Sequence, residues 1–324
     1  MPVDENCSKT QNETLGKYQQ KFAWHIKVLD QEITPQKEQN TNKITAIALL
    51  TTHAQQQKSQ LSNADLKKAI SKGALWLTTS RNSKQTQRLR RVKKQLAIGD
   101  ELHFYYDSAV LSTTVPKALL IADLIDYSVW YKPYGMLSQG SKWGDHCTIA
   151  RFAQQNLVNE RPAFIVHRLD RAATGLILIA HSKKAAQALS LMFEQHQLEK
   201  HYHIVVHGDH RQRPQPDIIE RYIDDKKARS TFTCLSYDEI KKYSLIQVKI
   251  DSGRKHQIRK HAASINMPVV GDRLHGIADE NEPLDLQLCA VSLRFICPVT
   301  KHERFFELPE TLKPQLFQEI KLRL

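Results

Sequence analysis

"FIVHRLDRAATGLILIA", residues 164–180, sets a single acid among basic side chains between two apolar runs. The first run ends at Val166 and the second resumes at Leu176, a pattern typical of two buried strands joined by a polar segment. The acid is Asp170, and the bases are His167, Arg168 and Arg171. An isolated buried carboxylate tends to take up a proton, so a basic partner would be needed to keep this one ionised at neutral pH.

Strand and helix patterns alternate along the chain from residue 128 onward. Ser182 can cap the helix "SKKAAQALSLMFEQHQLEK", whose apolar residues fall on one side at Ala186, Leu189 and Phe193. The runs "RSTFTCLSY" and "SLIQVKI" are typical of paired strands. These elements predict an α+β domain with a mixed, mainly antiparallel sheet flanked by helices.

Composition limits the classes of function that the protein can have. The chain has 324 residues and a formal charge of +13, from 47 Lys and Arg against 34 Asp and Glu. A protein this basic is suited to a polyanion such as RNA. Because no apolar stretch is long enough to cross a bilayer and the polar N-terminus lacks a signal core, we expect a cytoplasmic protein without membrane contact. Five scattered cysteines predict reduced thiols and no zinc site.

The chain divides into segments of different character. Residues 1–20 are polar and expected to be disordered, residues 21–107 form a basic domain, residues 108–127 a linker, and residues 128–324 the larger domain. Within residues 58–94, eleven Lys or Arg stand against one acid, which favours RNA binding over a merely solvated face. The side chains expected to contact RNA phosphates are Arg88, Arg90, Arg91, Lys93 and Lys94.

Five motifs, in order, resemble those of the RluA-type RNA pseudouridine synthases. "HRLDRAATGLILIA" is similar to the signature around the family's aspartate, and "YKPYGML" (131–137) resembles its opening lysine–proline–glycine motif. "EKHYHIVVHG" (199–208) resembles its lysine–tyrosine strand, and "IDDKKARSTFTCL" (223–235) the strand that follows. "SGRKHQIRKHAASINMPVVGDRLHG" (252–276) resembles its arginine-bearing segment. The resemblance covers about residues 128–310 and is specific for the family, though not for a substrate.

The resemblance implies an isomerase that needs neither a cofactor nor a metal. Such an enzyme breaks the bond between base and sugar of a uridine in RNA, turns the base and rejoins it through carbon. Asp170 corresponds to the family's essential aspartate, which either attacks the anomeric carbon or assists through a glycal-like intermediate. Tyr202 corresponds to the tyrosine that stacks on the flipped base, and Arg259 to the basic residue that pairs with the aspartate. A base inside a helix has to be extruded for such chemistry.

Four further residues are expected to support substrate binding. Ile258 would pack against the base or serve as a plain core isoleucine. Arg168 would contact RNA or fill the space left by the flipped base, and His167 belongs to the bases that hold the charge of Asp170 and the RNA phosphates. Lys132 is expected to support the site or the backbone rather than to react.

The chain departs from the family pattern at several positions. The tyrosine of the family's "GDxxYG" is His275 here, the threonine before "HQIR" is Lys255, and Cys289 stands where a histidine is common. The serine after the motif's threonine position is shifted to "AATG". Because the aspartate, tyrosine and arginine remain, these departures bear on the substrate more than on the reaction.

Residues 57–107 weakly resemble the RNA-binding module of small-subunit ribosomal protein four. "LKKAISKGALWL" and "LAIGDELHFYY" match its helix–strand pair and closing turn, whereas its first helix is not evident. Asn63 or Asp65 can cap the helix, and Gly73 can end it.

Other classes of function fit the sequence less well. His201, His203 and His207 share a strand face in a ligand-like way, but no carboxylate or cysteine at metal spacing completes the set. There is no G-x-S-x-G and no glycine-rich nucleotide loop. The alternative is a catalytically silent RNA-binding protein, which the intact aspartate, tyrosine and arginine oppose. We therefore expect a monomeric RNA pseudouridine synthase that acts on ribosomal RNA or, next, on transfer RNA.

Overall fold

The computed structural model describes residues 20–29, 44–277 and 283–316. The predicted disordered tail therefore lies, except for its last residue, outside the described residues. The chain forms two compact units. Unit 1 comprises Met1–Thr114 and Gly140–His146, and unit 2 comprises Val115–Gln139 and Cys147–Leu324.

Unit 1 is built on a four-stranded antiparallel sheet with strand order β1-β4-β2-β3. Its elements are β1 (Lys21–Lys27), α1 (Ala46–Gln56), α2 (Asn63–Ser71), β2 (Leu75–Thr79), β3 (Asn82–Arg88), β4 (Glu101–Asp107) and α3 (Ser108–Ser112). Leu50 of α1, Ile70 of α2 and Phe104 of β4 are fully buried in one core, so both helices pack with the sheet. Helix α1 is an element that the sequence did not predict.

The start of α2 differs from the sequence prediction. Ser62, rather than Asn63 or Asp65, is the N-cap, and its hydroxyl accepts a hydrogen bond from the Asp65 backbone N–H at 3.2 Å. The Asp65 carboxylate returns a contact to the Ser62 backbone N–H at 3.0 Å, which completes a capping box. Gly73 follows the helix with φ of +88°, as expected of a residue that ends one.

Unit 2 is built on a ten-stranded sheet whose main order is β10-β11-β12-β9-β13-β8-β6-β5. Strand β14 pairs with β13 and β7 with β8; the contact of β13 with β8 is parallel and the other pairs are antiparallel. The strands are β5 (Leu119–Asp123), β6 (Tyr127–Lys132), β7 (Phe164–Ile165), β8 (Thr174–Ala180), β9 (Leu198–His207), β10 (Asp217–Ile223), β11 (Lys226–Asp238), β12 (Tyr243–Ile250), β13 (Leu288–Ile296) and β14 (Glu303–Glu307). The helices are α4 (Ile149–Asn156), α5 (Lys183–Glu194) and α6 (Gln257–Ser264). The predicted mixed, mainly antiparallel α+β fold is confirmed.

The division between the units falls at residues 114 and 115 rather than across a linker at 108–127. Residues Leu119–Asp123 pair with β6 as the edge strand of the large sheet, and Ile121 and Ala122 pack against its core. Residues Ser108–Ser112 form α3, whose cap is the Asp107 carboxylate.

Helix α5 begins as its sequence predicts. The Ser182 hydroxyl accepts a hydrogen bond from the Ala185 N–H at 3.1 Å. The buried side contains Leu189 as expected, while Ala186 and Phe193 are partly buried against the same core. No described helix is long and apolar enough to cross a membrane.

Gly175 is required at the point where β8 meets β13. Its φ is +110°, and a Cβ there would lie 2.3 Å from the Ala290 carbonyl oxygen. A larger residue would push the two strands apart. Since β8 begins four residues after Asp170, this close packing helps to fix where the polar segment of the opening sequence ends.

Candidate active site

Asp170 lies in the polar segment between β7 and β8, where the Ala173 N–H donates to its carbonyl oxygen at 3.2 Å. Its side chain is 32% exposed. The carboxylate borders a cleft of about 810 Å³ in unit 2, whose wall also includes basic side chains. The arginines and lysines that line the cleft are Arg168, Arg171, Lys200, Arg254 and Lys255, and the histidines are His167, His196 and His256. The Asp170 carboxylate is therefore accessible from the cleft and lies among basic side chains.

Arg259 links Asp170 to a second acid that the sequence analysis did not select. Its Nε and Nη2 donate to the two Asp272 carboxylate oxygens at 2.8 and 2.5 Å. The remaining Nη1 reaches Asp170 Oδ2 at 3.4 Å. The predicted pairing of Arg259 with Asp170 is present, but the bidentate partner is Asp272, which orients the guanidinium. The aspartate of the "GDRLHG" segment is Asp272, and this motif was the feature of the sequence that indicated the second acid.

Asp272 is the most tightly enclosed acid of this group, with a side chain 1% exposed. The backbone N–H groups of Leu274 and His275 each donate to Oδ1 at 3.0 Å. Although burial acts to raise it, the hydrogen bonds from Arg259 and from these N–H groups hold the pKa of Asp272 below its usual value. Asp272 is therefore a fixed anion under the arginine.

A pair of histidines also lies near Asp170. His256, which precedes α6 with a left-handed φ of 55°, has its Nε2 3.9 Å from Asp170 Oδ2. Its Nδ1 lies 2.9 Å from Nε2 of His275, the residue in the family's tyrosine position. Burial lowers the pKa of His256, and the positive charge of Arg259 adds to this while Asp170 opposes it. The imidazole is thus neutral at neutral pH.

Lys132 contacts the backbone around Asp170, and its expected role in supporting the site stays a prediction. It is fully buried, and its Nζ donates to the carbonyl oxygens of Pro133 at 3.2 Å, Met136 at 2.9 Å and Arg171 at 3.3 Å. Burial lowers the pKa of Lys132 to about 7, with the charge of Asp170 acting in the other direction. The amine ties two loops together beside the carboxylate.

Tyr202 and Ile258 occupy different surroundings. Tyr202 lies on β9 opposite Val248 and borders the cleft, where burial and the Asp170 charge raise the pKa of its hydroxyl. Ile258 is buried in the core that also holds Val248, and it is not among the described residues that line the cleft. Ile258 therefore has the surroundings of a core isoleucine. The phenol of Tyr202 is protonated at neutral pH.

His167 and Arg168 are neighbours in the sequence, but the structure gives their side chains different surroundings. The His167 Nε2 accepts a hydrogen bond from the Leu178 N–H at 3.0 Å, and its ring stacks on Phe193 with centroids 4.1 Å apart. Burial, followed by the charge of Lys200, lowers the pKa of His167 to about 3. His167 is therefore a neutral side chain that packs the segment, while Arg168 is exposed at the cleft.

The five basic residues selected in unit 1 fall into two sets. Arg88 lies over the Trp76 ring at 4.2 Å and donates to the Ser141 carbonyl at 2.8 Å, and Arg90 pairs with Asp145. Their contact with RNA stays a prediction, and both guanidiniums already have partners inside the unit. The other three are exposed at the surface: Arg91, Lys93 and Lys94.

A possible metal-binding group occurs in unit 1 rather than at the cleft. In the described part of the chain, the side chains of His25, Glu101 and His103 form the one such group, with ligand atoms within 4.8 Å of one another. His201, by contrast, has Nδ1 3.2 Å from the Ser292 hydroxyl and Nε2 3.5 Å from Glu199. The expectation that catalysis needs no metal stays a prediction.

Comparison with known proteins connects this geometry to a family. A family model described as RNA pseudouridylate synthase matches residues 126–264. A tRNA pseudouridine synthase C from Vibrio parahaemolyticus is 32% identical over 203 residues, which are 53% of this chain and 82% of that protein. An uncharacterized RNA pseudouridine synthase from Aquifex aeolicus is 29% identical over 285 residues, 78% of this chain and 87% of that protein.

A solved structure shares the fold at low sequence identity. Human RNA pseudouridylate synthase domain containing 1 matches with a TM-score of 0.51 and 20% identity, covering 61% of this chain and 85% of that one. The matched portion is consistent with the size of unit 2.

Proposed function

The chain belongs to the RluA-type RNA pseudouridine synthase family, and we propose that it converts a uridine of transfer RNA to pseudouridine with Asp170 as the reacting carboxylate. The observation that carries the proposal is the position of Asp170 at the cleft, 3.4 Å from Arg259, whose guanidinium is held by Asp272. Transfer RNA is preferred to ribosomal RNA because relatives such as the Vibrio protein are named for that substrate.

The carboxylate has two routes to the product, and the same residues serve both. As a nucleophile, Asp170 attacks C1′ of the ribose while the bond to N1 breaks and its electron pair goes to the base. C5 of the turned base then attacks C1′ and displaces the carboxylate. As a base, Asp170 removes the C2′ proton while the C1′–N1 bond breaks, which leaves a glycal and the uracil anion; the base turns, C5 bonds to C1′, and the proton returns to C2′. In either case C5 then loses its proton and N1 gains one. An ionised and oriented carboxylate is needed at the first step.

The remaining site residues have supporting roles in this proposal. Tyr202 stacks on the extruded base, and its raised pKa keeps the phenol neutral. Lys132 ties the Arg171 carbonyl, next to Asp170, to the Met136 carbonyl of another loop. The cleft volume of about 810 Å³ falls in the range of roughly 300–1,000 Å³ that is typical of ligand pockets. An extruded nucleoside can therefore be enclosed.

The test is a pseudouridine map of RNA treated with the purified protein. Unmodified transcripts of transfer RNA and of ribosomal RNA domains are incubated separately, and conversion is followed at each uridine. We expect one or a few sites in transfer RNA and none in ribosomal RNA. Conversion restricted to ribosomal RNA would overturn the substrate class, and conversion in neither would favour the silent RNA-binding alternative.

A further inference from the structure

Lys200 differs from the other buried lysines of the described residues. Lys132 donates to three carbonyls, and Lys313 pairs with Glu307 and Glu310 at 2.8 and 2.6 Å. Lys200 is 8% exposed and borders the cleft, yet within the described part of the chain its ammonium has neither a hydrogen bond nor an ion pair. Burial lowers the pKa of this amine. A largely buried ammonium that borders a cleft and has no acceptor in the protein is suited to bind an anionic group there.

The loop that faces Lys200 leads into the N-terminus of α6. A Cβ built on Gly253 would lie 3.8 Å from the Lys200 Nζ. Helix α6 starts after His256 without any side-chain hydrogen bond to cap it, although the Gln257 N–H donates to the Arg254 carbonyl at 3.1 Å. The Nε of Arg254 is buried and also without a hydrogen bond. Two enclosed cationic groups and the loop that leads into α6, up to His256, thus border one cleft.

The groups around Lys200 and Arg254 are chemically suited to bind a phosphate. Helix N-termini and arginine or lysine side chains are the groups with which proteins bind phosphate oxygens. Lys255, which replaces the family's threonine, adds a third positive charge to the same wall of the cleft. The acids that border the cleft are Asp170 and Glu194, and the first already contacts Arg259.

The spacing of side chains along β9 relates the surroundings of Lys200 to the expected position of the uracil base. Lys200 and Tyr202 are two residues apart on β9, so their side chains share a face about 7 Å apart. This spacing suits a nucleotide whose base stacks on Tyr202 and whose phosphate reaches the lysine. We propose that Lys200, Arg254 and the N-terminus of α6 bind a backbone phosphodiester next to the target uridine, an inference that rests on the proposed function.

The test compares small probes that differ in the phosphate. Uridine, uridine 3′-(methyl phosphate) and inorganic phosphate are titrated separately into the full chain, and the amide resonances of residues 253–258 are followed. We expect the diester to bind about tenfold or more tightly than uridine. Lys200→Met and Arg254→Gln should each remove most of this advantage. Lys184→Met is the control, because Lys184 is exposed on α5 and is not among the cleft-lining residues.

Each outcome decides the proposal. Equal affinity of the parent for uridine and the diester overturns it, as does a diester advantage that survives in folded Lys200→Met and Arg254→Gln. Binding of inorganic phosphate without binding of the diester also overturns it, because the site would then serve a free phosphate. The titration involves no turnover, so a parent that binds the diester but makes no pseudouridine refutes the proposed function alone.

Discussion

Arginine and aspartate meet in both units, but the two clusters distribute their charges in opposite ways. In unit 2, one guanidinium serves two carboxylates: Arg259 is bidentate on Asp272 and reaches Asp170 at 3.4 Å. In unit 1, two guanidiniums converge on one carboxylate. In unit 2 the Asp170 carboxylate can still be contacted from the cleft, since its side chain is 32% exposed.

In unit 1, both arginines contact the same carboxylate. Arg88 lies 3.3 Å from Asp145 Oδ2, and Arg90 pairs with the same oxygen. The Arg88 and Arg90 side chains are 16% and 26% exposed. In unit 2 two acids share one arginine and one of them stays open to the cleft, whereas in unit 1 two arginines share one acid.

The largest expected effect concerns the shared arginine. Arg259→Leu should lower the free energy of unfolding by about 3–5 kcal/mol, because it leaves Asp272 charged and enclosed without its partner. Adding Asp272→Asn should recover much of the loss, whereas adding Asp170→Asn should recover little. Chemical denaturation of the single and double variants measures this. If Asp170→Asn restored the stability instead, Asp170 rather than Asp272 would be the main partner of Arg259.

A smaller effect is expected from the buried amine of the same region. The folded pKa of Lys132 is about 7, below the unfolded value of about 10.4. The unfolded chain thus holds more protons between these values, so stability rises with pH in that window and falls as the pH is lowered towards 7. We expect the parent to gain about 2 kcal/mol relative to Lys132→Met between pH 7.5 and 9.5. Denaturation midpoints of both proteins across this range would show parallel curves if the idea is incorrect.

The cluster of unit 1 should respond more weakly. Arg90→Gln should lower the stability of the protein by about 1 kcal/mol, because the pair with Asp145 is partly exposed and Arg88 still contacts the same carboxylate. Thermal melting measures the loss, with Arg91→Gln as the control because Arg91 is exposed. A loss in the control as large as in Arg90→Gln would contradict the structural role given to the pair.

The exposed basic residues of unit 1 should affect RNA binding with almost no effect on stability. Changing Arg91, Lys93 and Lys94 together to Gln should flatten the plot of log affinity against log salt by up to roughly two units if all three contact phosphates. Binding of unmodified transfer RNA at several salt concentrations measures the slope. An unchanged slope would mean that these side chains are solvated surface charge.

Local patterns in the sequence predicted much of the fold. The apolar runs on either side of Asp170 became β7 and β8, and Ser182 capped α5, because each depends on residues within one turn or strand. The resemblance to the synthase family is confirmed by the matching family model and relatives.

What the sequence did not predict depends on contacts between distant residues. Arg90 and Asp145 are 55 positions apart, and neither shows by itself that the other satisfies its charge. Asp272 was missed because a carboxylate in a turn looks like a solvated acid until the inner face of α6 brings Arg259 against it. Lys200 was missed for the converse reason, since its lack of a partner is visible only in three dimensions.

The most direct test of the central claim is the Asp170→Asn variant. Asparagine keeps the shape of the side chain but carries no charge and is a poor nucleophile, so it isolates the chemical role. We expect the variant to bind transfer RNA within a few-fold of the parent, to melt at a similar temperature and to form no detectable pseudouridine. Conversion within a few-fold of the parent rate would contradict the assignment of Asp170 as the reacting group.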